Sequence, residues 1–282
     1  MTVKVVTDSG ADIPEEIVKE LEIETVPYLV QFGLNSFRDG IDIQAEEIYR
    51  LLKEGVHLTT SAPFPKDFIE IYQRYDEIIS IHISSKLSRT YESALFAKTM
   101  VEKEKNCQIE VIDSQALVMG MGFLAILAAK MAEEGENLKE IVKTVEDSIP
   151  KIHLLGILDS LKYIEKGGRL GDAAILLEGL RKTEKLLKIK AVLTLKKGKV
   201  RPSGIVRLHQ KKEKLIEFIN SFPKVKEVAV EYATDKDREE AEDLLGKIKS
   251  LFPGITYYLS RISPVLGVHA GLRALVITLR EE

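Results

Sequence analysis

The chain has 282 residues, of which 45% are hydrophobic and 30% charged, and its formal net charge is −3 at pH 7. This length suits two domains or one large one, and this composition excludes intrinsic disorder. Both signs of charge are mixed along the chain, which lacks the basic face that nucleic acid or an anionic membrane requires, so neither is an expected partner.

The first half of the chain alternates between strand and helix patterns, and this alternation predicts a parallel sheet covered by helices on both faces. A helix is also expected to begin at Asp12 as its N-cap, and residues 33–60 otherwise read mostly as loop. Strands are predicted over 3–6, 25–32, 77–83 and 109–112, and helices over 45–53, 65–75, 89–104 and 116–134.

The pattern changes after about residue 150, where two strand patterns flank Lys196-Lys197-Gly198 and indicate a hairpin. Further strands at 225–232 and 274–279, with helices at 208–220 and 237–251, favour an antiparallel sheet with helices on one side. We therefore predict two domains of an α/β protein. An N-terminal parallel-sheet α/β/α domain spans 1–150, with a loop-rich insertion around 33–60, and a smaller α+β domain with a mainly antiparallel sheet spans 151–282.

Cysteine occurs once, as Cys107, so no disulfide framework forms within the chain and a cytoplasmic, reducing location is expected. The longest apolar run, 116–131, contains two glycines and Lys130. It is too short and too interrupted to span a bilayer, and stable membrane insertion is not expected.

Three predicted strands of the first domain end in hydroxyl-bearing residues. Ligands of open parallel sheets bind outside the carboxyl ends of the strands, so these hydroxyls are predicted to line one crevice. The alternative is that they cap the helices that follow, and the pattern leaves both readings open. The hydroxyls belong to Thr7, Ser9, Ser84, Ser85 and Ser114.

The segment from Ser84 to Tyr91 joins a buried strand to a helix, where free backbone N–H groups and the positive end of the helix favour an anionic head group. Ser88 and Thr90 add side-chain donors to this segment. The run Thr59-Thr60-Ser61-Ala62-Pro63 also gathers hydroxyls, although by itself it indicates a Ser/Thr turn.

Two glycine-rich motifs follow. Lys166-Gly167-Gly168-Arg169-Leu170-Gly171 lacks the end of a P-loop and favours a tight turn, in which Arg169 could face an anion. Near the C-terminus, His269 stands between Gly267 and Gly271. The five histidines show no metal-ligand spacing, and neither a metal nor a cofactor is expected.

Taken together, these segments resemble the DegV family of fatty-acid-binding proteins nearly end to end. Each motif is weak alone, but their occurrence in this order over the whole chain is highly specific. The motifs are Thr7-Asp8-Ser9-Gly10-Ala11-Asp12-Ile13-Pro14, Thr59-Thr60-Ser61, Ser84-Ser85-Lys86-Leu87-Ser88-Arg89-Thr90-Tyr91, Val111-Ile112-Asp113-Ser114, Gly167-Gly168-Arg169-Leu170-Gly171 and Gly267-Val268-His269-Ala270-Gly271.

The resemblance implies a carrier, not an enzyme, that holds a long-chain fatty acid such as palmitate between its two domains. It also implies that the carboxylate is presented to a separate, dihydroxyacetone-kinase-like fatty acid kinase. Thr60, Ser61, Ser88 and His269 would hold the carboxylate, and Arg207 would serve phosphate transfer. Arg169 is a weaker candidate for that role, and Ser9 and Ser84 are added from the predicted crevice.

The chain departs from the family pattern at three places. Arg89 follows Ser88 where glycine is usual, Ala62 replaces an expected glutamine, and Gly271-Leu272-Arg273 replaces Gly-Pro-Gly. These changes bear on partner docking and head-group access more than on acyl binding.

Two other functions stay open at this point. One is a serine hydrolase acting on acyl esters, with Ser88 as nucleophile, His269 as base, and Asp8 or Asp113 as the orienting acid. The other is a sugar-phosphate-binding domain that uses the same loops to hold an anion.

Overall fold

The computed structural model describes residues 3–158, 189–271 and 273–282. The chain divides into two compact units. The first comprises Met1–Ala45 and Thr59–Pro150, and the second comprises Glu46–Leu58 and Lys151–Glu282. The second unit therefore includes a short segment from early in the chain.

The strands of the first unit are β1 (Lys4–Asp8), β2 (Glu24–Val26), β3 (Leu29–Phe32), β4 (Asn35–Arg38), β5 (Thr59–Ser61), β6 (Glu77–His82) and β7 (Gln108–Asp113). Its first helix is α1 (Glu15–Glu20), and α2 (Ala45–Lys53) begins in this unit and continues in the second. Four more helices follow in this unit: α3 (Pro65–Tyr72), α4 (Thr90–Glu104), α5 (Met119–Glu133) and α6 (Leu138–Ser148).

The main sheet of the first unit has the order β2-β1-β6-β7, and its strands are all parallel, which confirms the predicted α/β fold. Its central strands are almost entirely buried, as expected for a parallel sheet with both faces covered. One core packs α3 and α4 against the sheet through Phe68, Tyr72 and Ala97. The helix α5 is apolar and buried along most of its length, and its exposed charged residues lie in the last turn.

The prediction of one strand over 25–32 was wrong. The segment forms two strands in different sheets, β2 in the parallel sheet and β3 in a three-stranded antiparallel sheet of order β4-β3-β5. Pro27 lies between them and has no N–H to continue a ladder. Residues 33–60 are consequently more structured than predicted, and Thr59–Ser61 is an edge strand, not a turn.

Asp12 does not cap a helix. It has a left-handed backbone, with φ of 53°, at the end of the short 3-10 turn Ser9–Ala11, and α1 begins after Pro14. An aspartate tolerates this conformation better than most residues do.

The strands of the second unit are β8 (Ile152–Leu158), β9 (Ile189–Lys196), β10 (Lys199–Arg207), β11 (Val225–Tyr232), β12 (Thr256–Arg261) and β13 (Ala274–Glu281). Its remaining described helices are α7 (Lys211–Asn220), α8 (Asp235–Leu251) and α9 (Pro264–Ala270). The sheet order is β10-β9-β8-β13-β11-β12, and every neighbouring pair is antiparallel except β11 with β12. This confirms the predicted mainly antiparallel sheet.

The β9–β10 hairpin is also confirmed. Lys197 and Gly198 form its turn with φ of 49° and 75°, the positive values that a two-residue turn of this kind requires. Within the described residues, no helix combines the length and the hydrophobicity needed to cross a membrane.

Candidate ligand-binding site

The loop between β6 and α4 is organised around Ser84, whose side chain is fully buried. The carbonyl oxygen of Ser84 accepts hydrogen bonds from the N–H groups of Leu87 and Ser88, at 2.9 and 3.2 Å. Its Oγ accepts the N–H of Lys86 at 3.2 Å. Ser84 therefore stabilises the conformation of this loop, and its role as a ligand residue stays a prediction.

Three hydroxyls from two segments meet beside this loop, and we call Tyr28, Ser88 and Thr90 the hydroxyl cluster. The Tyr28 hydroxyl donates to Ser88 Oγ at 3.1 Å and lies 2.6 Å from Thr90 Oγ1. Ser88 Oγ and Thr90 Oγ1 are 2.8 Å apart. Tyr28 and Thr90 are buried, whereas Ser88 is half-buried. The cluster is a compact set of neutral donors and acceptors at the start of α4.

Ser9 and Asp39 fix the backbone of Tyr28 from both sides. The Tyr28 N–H donates to Ser9 Oγ at 3.1 Å, and the Tyr28 carbonyl accepts the N–H of Asp39 at 2.9 Å. Burial raises the pKa of Asp39 to about 6, opposed by a hydrogen bond from the Ser9 hydroxyl that lowers it. An acidic group with a pKa raised towards neutrality thus lies next to the hydroxyl cluster.

The edge strand β5 presents Thr60 and Ser61. Ser61 pairs with Leu29, the residue after Tyr28, and Thr60 pairs with Val30. Successive residues of a strand point to opposite faces, so the two hydroxyls face different sides of this small sheet. Ser61 Oγ is buried and has no hydrogen-bond partner among the described residues. A buried hydroxyl without a partner is costly, and a ligand oxygen would satisfy it.

Beneath these loops lies a second hydrogen-bonded group, Asp8, His82, Ser80 and Tyr72, which we call the sealed network. All four side chains are fully buried. The Tyr72 hydroxyl donates to Ser80 Oγ at 2.7 Å, and Ser80 Oγ lies 2.7 Å from His82 Nε2. His82 Nδ1 lies 3.0 Å from Asp8 Oδ2. A carboxylate oxygen only accepts, so the His82 Nδ1–H donates to Asp8, and Ser80 Oγ can then donate to Nε2 while it accepts from Tyr72.

The remaining hydroxyls of the predicted crevice are used locally. Thr7 Oγ1 donates to the carbonyl of Ile81 at 2.9 Å, and Ser85 Oγ donates to Asp113 Oδ2 at 2.5 Å. Ser114 Oγ accepts the N–H of Ala116 at 3.1 Å. None of these bonds caps a helix, and the placement of Thr7, Ser85 and Ser114 in a ligand crevice stays a prediction. Ser9 instead supports Tyr28.

The remaining predicted ligand residues belong to the part of the chain after residue 150. His269 is half-buried in the last turn of α9, and Arg207 is exposed at the end of β10. In the same helix, a Cβ at Gly267 would lie 2.6 Å from the Tyr49 hydroxyl, so glycine permits this close approach. Arg169 falls outside the described residues. The ligand roles of His269, Arg207 and Arg169 stay predictions.

Sequence reasoning missed Tyr28 and Asp39. Tyr28 stands in an apolar strand pattern, where an aromatic residue ordinarily indicates packing. Asp39 precedes Gly40, a pair that ordinarily indicates a turn. Contacts between distant segments connect these residues: the Tyr28 hydroxyl is bonded to Ser88, and the Asp39 N–H is bonded to the Tyr28 carbonyl.

The fold and this site define a two-unit α/β protein with a neutral, hydroxyl-lined site at the strand ends of its first unit. The sequence model of the DegV family of uncharacterised proteins matches residues 2–282, and the chain belongs to this family, as its motifs indicated. A DegV domain-containing protein from Caldanaerobacter subterraneus subsp. tengcongensis is 34% identical to it over 292 residues, which cover 99% of each chain.

Two solved structures extend this similarity. One describes fatty acid binding of a DegV family protein from Thermus thermophilus, with a TM-score of 0.87 and 27% identity over 100% of both chains. The other is DegV from Bacillus subtilis, described as a fatty acid binding protein, with a TM-score of 0.87 and 28% identity over 100% of both chains.

Proposed function

We propose that this chain binds a long-chain fatty acid and carries it without converting it. Its family, and the two fatty-acid-binding relatives of the same fold, support this proposal. The observation in this chain that carries it is the buried Ser61 hydroxyl, which has no partner among the described residues and lies on the strand that pairs with β3, directly after Tyr28. With its single cysteine, Cys107, we place this carrier in the reducing cytoplasm.

The energetics of such a complex are favourable. Burying about fourteen methylenes of a palmitoyl chain at about 0.8 kcal/mol each gains about 11 kcal/mol. Immobilisation of the ligand offsets several kcal/mol of this gain. The carboxylate must be hydrogen-bonded once it leaves water, and Ser61 and Ser88 are the donors that we assign to it.

The serine hydrolase alternative fits the hydrogen bonding less well. Ser88 Oγ is bonded to Tyr28 and Thr90. Asp8 accepts from His82, and Asp113 accepts from Ser85, so both candidate orienting acids already hold other partners.

A hydrogen-bonded arrangement of the catalytic-triad type, Ser80–His82–Asp8, does occur within the sealed network. All three side chains are fully buried on or beside the central strands, where no substrate reaches them. The sugar-phosphate alternative is also disfavoured, because the hydroxyl cluster consists of neutral groups, which suit a singly charged head group better than a doubly charged phosphate.

Solvent extraction tests the proposal. The purified protein is extracted with organic solvent and the extract is analysed by mass spectrometry, with an unrelated protein purified in parallel as the control. We expect nearly one fatty acid molecule per protein molecule in the extract of this protein, and none in the extract of the control. An extract without fatty acid, from a protein that also fails to bind added palmitate, would contradict the proposal. Turnover of p-nitrophenyl acyl esters that Ser88→Ala abolishes would support the hydrolase instead.

We further propose that the bound carboxylate is presented to a dihydroxyacetone-kinase-like fatty acid kinase, which transfers a phosphoryl group from ATP to a carboxylate oxygen and releases ADP. Arg207 supports this step, because it is an exposed cation that a phosphoryl-transfer partner can reach. With such a kinase, ATP and palmitate, Arg207→Ala is expected to lower acyl phosphate formation without weakening palmitate binding. The exposed Arg238→Ala is the matched control, and equal rates for both variants would contradict this role.

A further inference from the structure

The hydroxyl of Tyr28 is bonded to both other members of the hydroxyl cluster, and only 4% of this residue is exposed. We infer that Tyr28 is a specificity-determining residue, which orders the protons of the cluster so that Ser88 offers its proton to the ligand. This inference rests on the proposed binding of a fatty acid and extends it to the choice of head group.

The proton count of the cluster gives each bond a direction. Tyr28 has one hydroxyl proton, and it donates this proton to Ser88 Oγ. In the 2.6 Å contact with Tyr28, Thr90 must therefore be the donor. Thr90 then has no proton left for Ser88, so Ser88 donates to Thr90 across 2.8 Å. The three hydroxyls form a closed ring in which each donates once and accepts once.

Burial decides which member of the ring a ligand can reach. Thr90 is fully buried and Tyr28 nearly so, whereas Ser88 is half-buried. Only the Ser88 proton can then turn from its place in the ring towards a ligand. The ring then opens into a linear series of hydrogen bonds, which we call the relay. In it, Thr90 donates to Tyr28, Tyr28 donates to Ser88, and Ser88 donates to the ligand oxygen.

All hydrogen bonds of the relay run in one direction, and the relay ends in a donor. Hydrogen bonds in series polarise one another, so the terminal Ser88 donor is strengthened by the two bonds behind it. The gain is largest for a negatively charged acceptor, because charge-assisted hydrogen bonds are about twice as strong as neutral ones. The relay therefore favours a carboxylate over a neutral alcohol.

The scaffold around Tyr28 holds this geometry. Ser9 accepts the Tyr28 N–H, and the N–H of Asp39 donates to the Tyr28 carbonyl, so the backbone is fixed on both sides of the side chain. Removal of the hydroxyl alone leaves these bonds intact. Tyr28→Phe therefore removes a hydroxyl from the relay but keeps the aromatic ring of the side chain and its packing.

The test compares two ligands with the same chain and different head groups, palmitate and hexadecanol, by titration of the delipidated protein. Tyr28→Phe is expected to weaken palmitate binding about tenfold and to change hexadecanol binding by about twofold or less. Tyr75→Phe is the matched control, because the Tyr75 hydroxyl donates to Glu24 away from the cluster. It should leave both affinities unchanged.

Equal weakening of both ligands by Tyr28→Phe would mean that Tyr28 only supports the fold, and no change in either would remove it from the site. Both results overturn the inference while the proposed function stands. If the native chain binds neither ligand, the proposed function itself fails. Should Tyr28→Phe fold poorly by circular dichroism, Thr90→Val removes the first donor of the same relay. That variant is expected to show the same bias against palmitate, and an unchanged ratio of affinities would again overturn the inference.

Discussion

The first unit contains two hydrogen-bonded groups that differ in charge and in exposure. The sealed network pairs a carboxyl with an imidazole, and its four side chains are fully buried. The hydroxyl cluster contains no charged group, and Ser88 remains half-buried. The comparison teaches that the sealed network joins segments of the fold through fully buried side chains, whereas the hydroxyl cluster leaves one hydroxyl partly exposed, as the proposed ligand site requires.

The hydrogen bonds of Asp8 explain why the charged group is sealed. Besides His82, its carboxylate accepts the N–H of Gly10 at 3.1 Å and the N–H of Ile83 at 3.2 Å. These bonds join the turn after β1 to the loop after β6. A buried carboxylate is tolerated only when its bonds are made, and here those bonds position the segments that carry Ser9 and Ser88.

The largest expected effect comes from breaking the sealed network. Asp8→Ala should lower the free energy of unfolding by about 3–5 kcal/mol, because it strands a buried imidazole and two loop N–H groups. Urea unfolding measures this change. Asp42→Ala, which breaks an exposed ion pair with Arg38, is the control and should have a much smaller effect. Equal stability of the two variants would show that the sealed network does not support the fold.

Asp39 gives a second test of the comparison, because it is a buried acidic residue bonded to the backbone of Tyr28, a member of the hydroxyl cluster. Its folded-state pKa of about 6 lies above the ordinary value of 3.8, so the folded protein keeps this proton longer than the unfolded chain. The contribution of Asp39 to stability is therefore favourable at low pH and falls as the pH rises from about 4 to 6. At pH 8, Asp39→Asn should be more stable than the native protein by about 2–3 kcal/mol.

The same comparison at pH 4 should show a gain of less than about 1 kcal/mol for Asp39→Asn, because Asp39 is then protonated in the folded protein and already partly protonated in the unfolded chain. Urea unfolding at the two pH values measures the difference. A gain that is equal at both would refute the raised pKa of Asp39.

A substitution at Gly122 tests how tightly α5 packs against the turn Ser9–Ala11. A Cβ at this position of α5 would lie 2.7 Å from the carbonyl oxygen of Ala11, in the turn that Asp8 caps. Gly122→Ala should lower the free energy of unfolding by about 1–3 kcal/mol through overpacking.

The exposed Gly246 of α8 is the matched control, because a Cβ there has no atom within 4 Å. Gly246→Ala should raise the free energy of unfolding by about 0.5–1 kcal/mol, the usual preference of a helix for alanine. Thermal or urea unfolding distinguishes the signs. A Gly122→Ala variant as stable as Gly246→Ala would show that α5 is not tightly packed against this turn.

Much of the fold could be predicted from the sequence, because strand and helix periodicity and the Lys197-Gly198 turn are local signals. The break at Pro27 was local as well, yet its consequence, two strands in two sheets, depends on pairing with β5 far along the chain. The site was harder to predict for the same reason. Ser88 and Ser61 stand in recognisable motifs, but the partners that distinguish Ser88 from Ser84 come from Tyr28, a residue 60 positions away.

The most direct test of the account compares two hydroxyls of one loop, Ser88 in the hydroxyl cluster and Ser85 bonded to Asp113. Palmitate affinity is measured by calorimetric titration for Ser88→Ala and Ser85→Ala. Ser88→Ala is expected to weaken binding about tenfold or more, and Ser85→Ala is expected to leave the dissociation constant unchanged. Equal affinities in the two variants would contradict the claim that the hydroxyl cluster holds the carboxylate.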